Sequence, residues 1–476
     1  MTLKLHNSLT KTIETLEPLR AGEVSIYSCG PTVYDNVHIG NLSAFIAADT
    51  LRRVVGAQGL AVKHVMNFTD VDDKTIRRSR EKYTELDPMT ALRQLTDEYG
   101  QLFIRDMQLV GNDTRALTFI RATDVATVEG MRSLITELYQ NGFAYIADDG
   151  VYFSIDAYRN SGKVYGQLVD VTTASTGNER IQNDEYDKES AHDFALWKTK
   201  KPGEPAWEFL LDGRDLSGRP GWHIECSVMS RLELGQPFDI HTGGIDLMFP
   251  HHENEIAQST AGAANPTYAK VFVHNEHILV DGKKMAKSSG NFYTLGDLMN
   301  KGVEPLAFRL LVLQSHYRRP TNFSLENATA AHNRLQHWRT IAALRWQTAI
   351  DKNHEIDELI DHALIQFHKA LSNDLNTPEG LQVIDDVFSR IESFPVTDLP
   401  HGSLNNLLQT VDALLGIRLI EATPDIDDEA KRLIKDRRAA RENKDWAESD
   451  RLRDVLAARR ITVRDTPAGT IWSNGE

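Results

Sequence analysis

The sequence contains only two cysteines, Cys29 and Cys226, in 476 residues. So few cysteines, far apart in the chain, exclude a disulfide-stapled scaffold and are typical of a protein from a reducing compartment. The chain also lacks an N-terminal signal peptide and any run of about 18 apolar residues, the length that spans a bilayer. We therefore expect a cytoplasmic protein with no membrane partner.

An excess of positive charge is absent as well, because the formal net charge is −15. A chain of this charge does not coat nucleic acid indiscriminately, although it can still carry a local basic patch. Hydrophobic residues make up 41% and charged residues 25%, which is typical of an ordinary globular protein. At this length we expect about two to four domains with sizeable cores.

A strand, a turn and a helix are predicted near the N-terminus. Residues 23–28 are short and mostly β-prone, a Gly-Pro pair then breaks the strand, and apolar residues recur at helical spacing from about Gly40. Cys29 and His38 therefore lie between the carboxyl end of a strand and the amino end of a helix. Open α/β sheets bind nucleotides at such a place, where free backbone N–H groups favour phosphate.

The order of predicted elements indicates an α/β protein with additions. Strand and helix patterns alternate up to about residue 112, which favours a parallel sheet with crossover helices. Between residues 142 and 220 the pattern changes, and the polar segment 172–188 predicts a mobile part of an inserted module. Apolar residues recur at helical spacing over 324–420, which predicts a bundle, and a basic helical stretch and a terminal hairpin follow.

Four residues of the types that zinc accepts are candidates for a metal site. Pro250 suits the first turn of a helix, on which His251 and Glu255 are four apart and share a face. With the thiolates of Cys29 and Cys226 they would supply four ligands. No CxxC spacing supports zinc, however, so the residues alone favour two small buried cysteines and a solvated helix start.

Two further stretches carry groups suited to phosphate. Gly40 lets the backbone approach a phosphate, and the imidazole of His38 can donate to a transferring group, although a single histidine before a helix is more often a cap or a surface residue. The loop 281–291 places three lysines between glycines. Such a loop can wrap a triphosphate or form an exposed basic turn, and it matches no Walker pattern.

A basic stretch lies near the C-terminus. Residues 431–464 contain twelve lysines and arginines against six acidic residues, and Trp446 lies in their middle. An aromatic ring among cations suits stacking on unpaired bases. The alternative is a charged, solvated helix with one buried tryptophan.

Taken together, these motifs resemble a known family. His38-Ile-Gly-Asn41 and Lys284-Met-Ala-Lys-Ser288 resemble the HIGH and KMSKS pair of class I aminoacyl-tRNA synthetases. The stretches Cys-Gly-Pro-Thr-Val-Tyr-Asp, Asn-Phe-Thr-Asp-Val-Asp-Asp-Lys, Gly-Trp-His-Ile-Glu-Cys-Ser and Phe-Pro-His-His-Glu-Asn-Glu narrow the resemblance to cysteinyl-tRNA synthetases. It runs through most of the chain.

The resemblance implies an α/β fold: a Rossmann-like class I catalytic domain interrupted by an inserted module, then a helical bundle and a C-terminal anticodon-binding domain. The predicted boundaries are 1–112 and 221–323 for the two catalytic halves, 113–220 for the inserted module, 324–420 for the bundle and 421–476 for the anticodon-binding region.

The resemblance also implies one Zn²⁺ per chain. In the family two Cys, one His and one Glu hold the ion, and these match Cys29, Cys226, His251 and Glu255. The family's zinc takes the thiolate of the substrate cysteine as a further ligand, which a protonated serine hydroxyl cannot match. Selection by so strong a bond makes a separate editing domain unnecessary.

Further site residues follow from the same resemblance. The family surrounds the amino acid with residues that match Gly30, Thr69, Trp222 and Asp246, of which Asp246 is a partner for the ammonium group and Trp222 a pocket wall. The implied ATP-binding and catalytic residues are His38, Gly40, Asn41, Lys284 and Lys287. The implied anticodon-reading residues are Arg441, Trp446, Asp450 and Asp465.

The implied reaction uses ATP with Mg²⁺ to convert L-cysteine to cysteinyl adenylate, and the acyl group then passes to the 3′ end of tRNA-Cys. It needs placement and charge stabilisation but no protein nucleophile. The chain departs from the family at Asn41, the last residue of the HIGH motif, and at Ala286 in the lysine loop. An amide still donates hydrogen bonds, so we predict a working enzyme, and a monomer as in the family.

Two alternatives stay open. A sibling ligase that joins cysteine to the amine of a small sugar would use the same adenylation core, but it would not need the basic helical extension that follows Ser324. A non-catalytic tRNA-binding relative would keep the fold and lose the chemistry. The presence of Lys284 and Lys287 argues against it, whereas Asn41 argues weakly for it.

Overall fold

The computed structural model describes residues 2–170, 193–263, 265–285, 291–348, 350, 352–466 and 469–474. The segment 172–188, which the sequence predicts to be mobile, lies outside these residues. Within the described ranges, no helix is both long enough and apolar enough to cross a membrane.

A five-stranded parallel sheet forms the centre of the part that the resemblance predicts to be catalytic, which we call the catalytic part. Most side chains on both faces of its strands are buried, as expected for a sheet covered by helices. Because parallel strands end at the same edge, the residues that follow them, Cys29, Thr69 and Asp246 among them, are gathered there. The strands are β3 (Glu23–Ser28), β4 (Ala61–Phe68), β5 (Leu117–Arg121), β12 (Phe238–Gly244) and β13 (Ala269–Asn275), in the order β13-β12-β3-β4-β5.

Elements of the first half surround this sheet. A short hairpin of β1 (Lys4–Asn7) and β2 (Thr12–Thr15) precedes it. Helices α1 (Ile39–Gly56), α2 (Asp73–Lys82) and α3 (Pro88–Leu109) connect and cover the strands. The predicted boundary at residue 112 assigns β5 to the inserted module, whereas the structure pairs β5 with β4 in the central sheet.

The inserted module has its own antiparallel sheet and core. Phe153, Phe194 and Trp197 are fully buried between this sheet and the first helix of the module. The sheet has the order β11-β8-β7-β6. The elements are α4 (Val125–Gln140), β6 (Ala144–Ala147), β7 (Gly150–Phe153), α5 (Ile155–Asn160), β8 (Phe194–Thr199), β9 (Leu210–Leu211), β10 (Arg214–Asp215) and β11 (Gly218–Pro220).

The second half of the catalytic part returns to the central sheet. Helix α6 (Trp222–Leu234) leads into β12, a π-helical turn (Met248–His252) opens α7 (Glu253–Thr260), and β13 follows. The remaining elements are β14 (Ile278–Val280), β15 (Lys283–Lys284), α8 (Leu295–Asn300), α9 (Pro305–Leu313) and β16 (Thr321–Phe323).

Helices dominate the rest of the chain, as predicted. The bundle contains α10 (Leu325–Ala343), α11 (His354–Ser372), α12 (Thr377–Ser393), α13 (His401–Leu415) and α14 (Leu419–Ala422). The C-terminal unit contains α15 (Asp428–Glu442), α16 (Trp446–Ala458) and the hairpin β17 (Ile461–Thr466) and β18 (Gly469–Asn474).

A buried arginine joins the catalytic part to the bundle. Arg309 on α9 has no exposed surface and donates to Asp49 Oδ2 on α1 at 2.7 Å, to Asn112 Oδ1 at 2.6 Å and to the carbonyl of Leu415 at the end of α13. Burial alone would raise the pKa of Asp49, but Arg309 and two arginines of α1 hold it well below its usual value. Such a fully bonded buried pair holds the helices in one arrangement.

The predicted α/β class, with an inserted module, a helical bundle and a C-terminal unit, is confirmed. The exact domain boundaries stay predictions.

Candidate metal and nucleotide site

Four candidate metal ligands come together at the carboxyl edge of the central sheet. Cys29 follows β3, Cys226 lies on α6, and His251 and Glu255 lie where the π-helical turn runs into α7. All four are buried, and one ligand atom of each lies within 4.8 Å of the others. Two thiolates, an imidazole and a carboxylate are the donor set that suits zinc among the common metals.

The sequence spacing accounts for half of this cluster. His251 Nε2 lies 2.8 Å from Glu255 Oε1, which is the four-residue contact expected on one helix face. Trp222, the first residue of α6, stacks on the His251 ring with 4.2 Å between ring centroids. The Sγ atoms of Cys29 and Cys226 are 3.8 Å apart, although 197 positions separate the residues in the chain.

The charges within the cluster compensate one another. Burial would lower the pKa of His251, but the neighbouring Glu255 carboxylate raises it to about 10. Burial would raise the pKa of Cys226, but the hydrogen bond from Cys29 and the nearby His251 lower it to about 6. Burial raises the pKa of Cys29 well above its usual value. The cluster therefore holds a thiolate, a carboxylate and an imidazolium. A divalent cation can bind these residues once the imidazolium and the Cys29 thiol lose their protons.

The sequence analysis missed two histidines that join this cluster. His241 on β12 and His252 form a second possible metal-binding quartet with Cys29 and Glu255. His241 Nε2 lies 2.7 Å from Glu255 Oε2, and His252 Nε2 lies 3.3 Å from Cys29 Sγ. His252 directly follows the predicted ligand His251, so the sequence could have suggested it as a further candidate ligand. His241 had none, because only the pairing of β12 with β3 brings it close.

A cavity of about 420 Å³ opens above the cluster, and Cys29 lines its floor. Three of the four predicted substrate residues, Gly30, Trp222 and Asp246, also line it. The fourth, Thr69, does not line it and is only 2% exposed. Its hydroxyl donates to Glu225 Oε2 at 2.9 Å and accepts from Asn67 Nδ2 at 3.2 Å, so Thr69 lies behind the pocket wall.

Gly30 has a steric reason to be glycine. A Cβ atom at this position would lie 1.8 Å from the carbonyl oxygen of Asn67, and no real contact is so short. The Gly30 amide also donates to Asn67 Oδ1 at 2.8 Å. The turn after β3 can therefore pass close to β4 and bring Cys29 into the cluster.

The N-terminal end of α1, residues 38–41, lines another side of the cavity and is called the mouth of α1 below. His38 is the N-cap of the helix: its Nδ1 accepts from the Asn41 backbone amide at 3.2 Å, and Asn41 Oδ1 accepts from the His38 amide at 3.3 Å. Because Nδ1 is an acceptor, the neutral ring carries its proton on Nε2, the tautomer that can donate to phosphate. Asn41 thus completes a capping box with His38. A neutral amide is sufficient for this role, and no charged group is needed.

The lysine loop is described only in part. Lys287 and Ala286 lie outside the described residues, and of Lys284 only the backbone, in β15, is described. Met285 lines the cavity with Gly40. A Cβ on Gly40 would lie 2.6 Å from the Met285 methyl group, so the glycine allows the loop to approach α1.

The candidate anticodon residues lie on the C-terminal unit. Trp446 is 55% exposed, and the Arg441 guanidinium lies over its ring at 5.5 Å from the centroid. Asp450 is four residues after Trp446 on α16 and so shares its face. The carboxylate of Asp465 accepts from Arg437 Nη1 and Nη2 at 3.0 and 2.7 Å, and its Oδ2 also lies 3.2 Å from Arg441 Nη1.

The substitution Asp465→Asn is expected to destabilise the C-terminal unit by about 1–2 kcal/mol at pH 7. The hydrogen bonds from Arg437 lower the pKa of Asp465 to about 2. A lowered carboxyl pKa stabilises the fold above the unfolded pKa, so the effect should be complete above about pH 4 and lost towards pH 2. Calorimetric melting of wild type and variant across this range measures it.

The exposed Asp450 serves as the control, since its pair with Arg453 spans 3.4 Å at the surface. Asp450→Asn is expected to change stability by less than about 0.5 kcal/mol at any pH. Equal destabilisation by Asp465→Asn at pH 7 and pH 2.5 would contradict the ion-pair explanation.

Solved structures with the same fold include two tRNA synthetases. A LeuRS–tRNA complex from Agrobacterium radiobacter superposes with a TM-score of 0.60 at 12% identity, covering 85% of both chains. Methionyl-tRNA synthetase from Mycobacterium tuberculosis bound by methionyl-adenylate gives 0.60 at 12% identity, covering 84% of this chain and 94% of that one. At these identities the likeness concerns the fold alone.

The family described as "tRNA synthetases class I (C) catalytic domain" matches residues 15–333, so fold and site define a class I aminoacyl-tRNA synthetase. The "Cysteinyl-tRNA ligase anticodon binding domain" matches residues 423–472. The chain is 40% identical to the cysteine–tRNA ligase of Synechococcus elongatus over 99% of its length and 100% of the relative's, and 37% identical to that of Leptospira interrogans over 99% of both. It belongs to the cysteinyl-tRNA synthetase family and is an enzyme of that family, as the resemblance predicts.

Proposed function

We propose that this enzyme activates L-cysteine with ATP and Mg²⁺ and transfers it to the 3′ end of tRNA-Cys, with zinc at Cys29, Cys226, His251 and Glu255. The observation that carries the proposal is the position of Cys29. It belongs both to the four-residue cluster and to the cavity that the mouth of α1 closes on the other side. In this proposal the centre that selects the thiol and the helix end that binds phosphate share one cavity.

The cluster supports zinc rather than a hard cation. Both thiol ligands are buried, and a hard cation such as Mg²⁺ or Ca²⁺ prefers oxygen ligands. A zinc ion held there would bind the substrate as its thiolate, which distinguishes cysteine from serine. The buried imidazole of His241 hydrogen-bonds the other oxygen of Glu255 and would orient that ligand.

The chain's own residues orient the reacting groups. The exposed carboxylate of Asp246 lies on the cavity wall, where it can pair with the ammonium group of the amino acid, and Trp222 closes one side. The substrate carboxylate then attacks the α-phosphate of ATP, and pyrophosphate leaves. His38 Nε2–H and the amino end of α1 donate to phosphate oxygens as charge develops, a role in which Lys284 and Lys287 join.

The C-terminal unit supports recognition of tRNA. Exposed Trp446 offers a stacking surface for an unpaired base, with Arg441 and Asp450 as hydrogen-bonding groups beside it. Since Asp465 is held by Arg437, we propose that it orients the arginines of α15 as well as contacting a base. The monomeric state and the cytoplasmic location stay predictions.

Cysteine-dependent exchange of pyrophosphate into ATP tests the activation step, with serine as competitor and zinc measured on the same sample. We expect exchange with cysteine, none with serine, and about one zinc per chain. Charging of tRNA-Cys tests the second step. A folded, zinc-loaded sample without exchange would overturn the proposal, and exchange without charging would indicate a ligase for another acceptor.

A further inference from the structure

One wall of the cavity has no role in the chemistry described so far. It consists of residues 275–278, which run from the last residue of β13, at the carboxyl edge of the sheet, to the first residue of β14. Gly244, two residues before Asp246, pairs with Asn275, so this wall begins beside the proposed amino-acid subsite. It ends at Ile278, in the same cavity as Gly40 and Met285. The wall therefore runs from the amino-acid end of the cavity to the mouth of α1.

Glu276 is the acidic residue of this wall, and it also lines a smaller neighbouring cavity with Tyr317 and Arg319. The residue is half-buried, and its Oε2 accepts from the neighbouring His277 amide at 3.3 Å. Among the described residues, its Oε1 accepts no hydrogen bond within the chain. A half-buried carboxylate with an open acceptor on the wall of a substrate cavity suits hydrogen bonding to a ligand.

The backbone that carries Glu276 is rigidly supported. Its amide donates to the carbonyl of Tyr317 at 2.8 Å. The Tyr317 hydroxyl donates in turn to the buried Asp374 at 2.6 Å, and Arg318 Nε donates to the same carboxylate at 2.7 Å. A site residue held by such a network keeps its position without the ligand, which limits the entropy that binding loses.

The rest of the cavity indicates which ligand group reaches Glu276. Gly40, Ala44, Phe45, Ile278 and Met285 give one end of the cavity an apolar lining that suits a flat adenine ring. The amino acid belongs at the other end, near Asp246 and Cys29, and the α-phosphate must lie between the carboxylate of the amino acid and His38 at the start of α1. The ribose connects adenine to the α-phosphate, so it falls between these ends, beside Glu276.

The negative charge of Glu276 also limits which group of the ligand it can contact. A carboxylate repels phosphate oxygens, whereas it accepts hydrogen bonds from hydroxyl groups, and two vicinal hydroxyls can share its two oxygens. We propose that Glu276 binds the 2′,3′-diol of the ATP ribose and so selects a ribonucleotide for the activation step. This inference rests on the proposed function of the cavity.

Pyrophosphate exchange with ATP, 2′-dATP and 3′-dATP tests the assignment in wild type, Glu276→Ala and Glu276→Gln. Hydrogen bonds to a charged group correspond to about 10- to 100-fold in affinity. We expect wild type to prefer ATP over at least one deoxynucleotide by that factor in kcat/KM, mainly through KM. Glu276→Ala should lose the preference, and Glu276→Gln, which keeps one acceptor oxygen, should retain part of it.

Glu326→Gln is the matched control, because it removes the same charge from an exposed position on α10. It should leave the ATP preference unchanged. Calorimetric binding of ATP and the two deoxynucleotides gives a readout that needs no turnover. Wild type without exchange would contradict the proposed function, and the binding preference would still decide the role of Glu276.

Purine riboside triphosphate, which lacks the adenine amino group, completes the design. If Glu276→Ala abolishes the preference for ATP over this analogue but keeps the preference over deoxynucleotides, Glu276 reads adenine and the ribose assignment is wrong. If Glu276→Ala changes neither preference, in exchange or in binding, the inference is overturned.

Discussion

Replacing Cys226 with serine is expected to remove the bound metal and to lower kcat/KM for cysteine by at least about 10³-fold. A neutral hydroxyl cannot replace a thiolate ligand, and the remaining three ligands would bind zinc much more weakly. Zinc content per chain and cysteine-dependent pyrophosphate exchange on the same preparation measure both effects. Serine should remain inactive as a substrate.

A control on the same helix separates loss of the metal from damage to the core. Met229 lies on α6 and is fully buried, and Met229→Leu keeps the side-chain volume, so it should cost less than about 1.5 kcal/mol and keep the zinc. A Cys226→Ser protein that binds one zinc and activates cysteine normally would contradict the proposed ligand set.

The overlapping quartets make such an outcome informative. If the metal is held by Cys29, His241, His252 and Glu255 instead, His252→Asn should release it while Cys226→Ser keeps it. If the proposed set is right, Cys226→Ser releases the metal and His252→Asn lowers the zinc content less. His252 then contacts a ligand and does not bind the metal itself. The pair of variants decides between the two sets.

The substitution His38→Asn is expected to lower kcat for exchange by about 10²- to 10³-fold, with a smaller change in KM for cysteine. Asparagine is a good N-cap, so α1 keeps its cap, but the shorter side chain loses the donor that points to the developing charge. Pyrophosphate exchange measures the rate, and thermal melting shows whether the helix stays intact.

Asp87→Ala provides the comparison for helix capping alone. Asp87 caps α3 at an exposed position, and its carboxylate accepts from the amides of Met89 and Thr90. Its loss should lower the melting temperature slightly and leave exchange unchanged. A His38→Asn enzyme with wild-type kcat would show that the residue only caps the helix.

Local sequence patterns predicted the parts of the fold that depend on near neighbours. The β-prone run before Cys29, the helix that begins near Gly40 and the His251–Glu255 face all appear in the structure where they were expected. Their signals are alternation, capping and the four-residue helical repeat, which act over a few residues. The motifs built on these elements were enough to identify the family.

Contacts between distant segments were not predictable in this way. The sequence offered no sign that β5 pairs with β4, that Thr69 lies behind the pocket wall, or that Arg437 holds Asp465. Each depends on which surfaces meet after the chain folds. His241 shows the same limit, since a histidine within a strand is an ordinary residue until the opposite helix brings Glu255 to it.

The sequence by itself determined the family, the α/β class and the types of ligand available, because motifs and periodicities are local properties of the chain. Only the tertiary structure decided that Cys29 and Cys226 meet, that two more histidines surround Glu255, and that Glu276 lines the same cavity as Cys29. The physical reason is that these groups come from strands and helices far apart in the chain. The parallel sheet brings their ends to one edge.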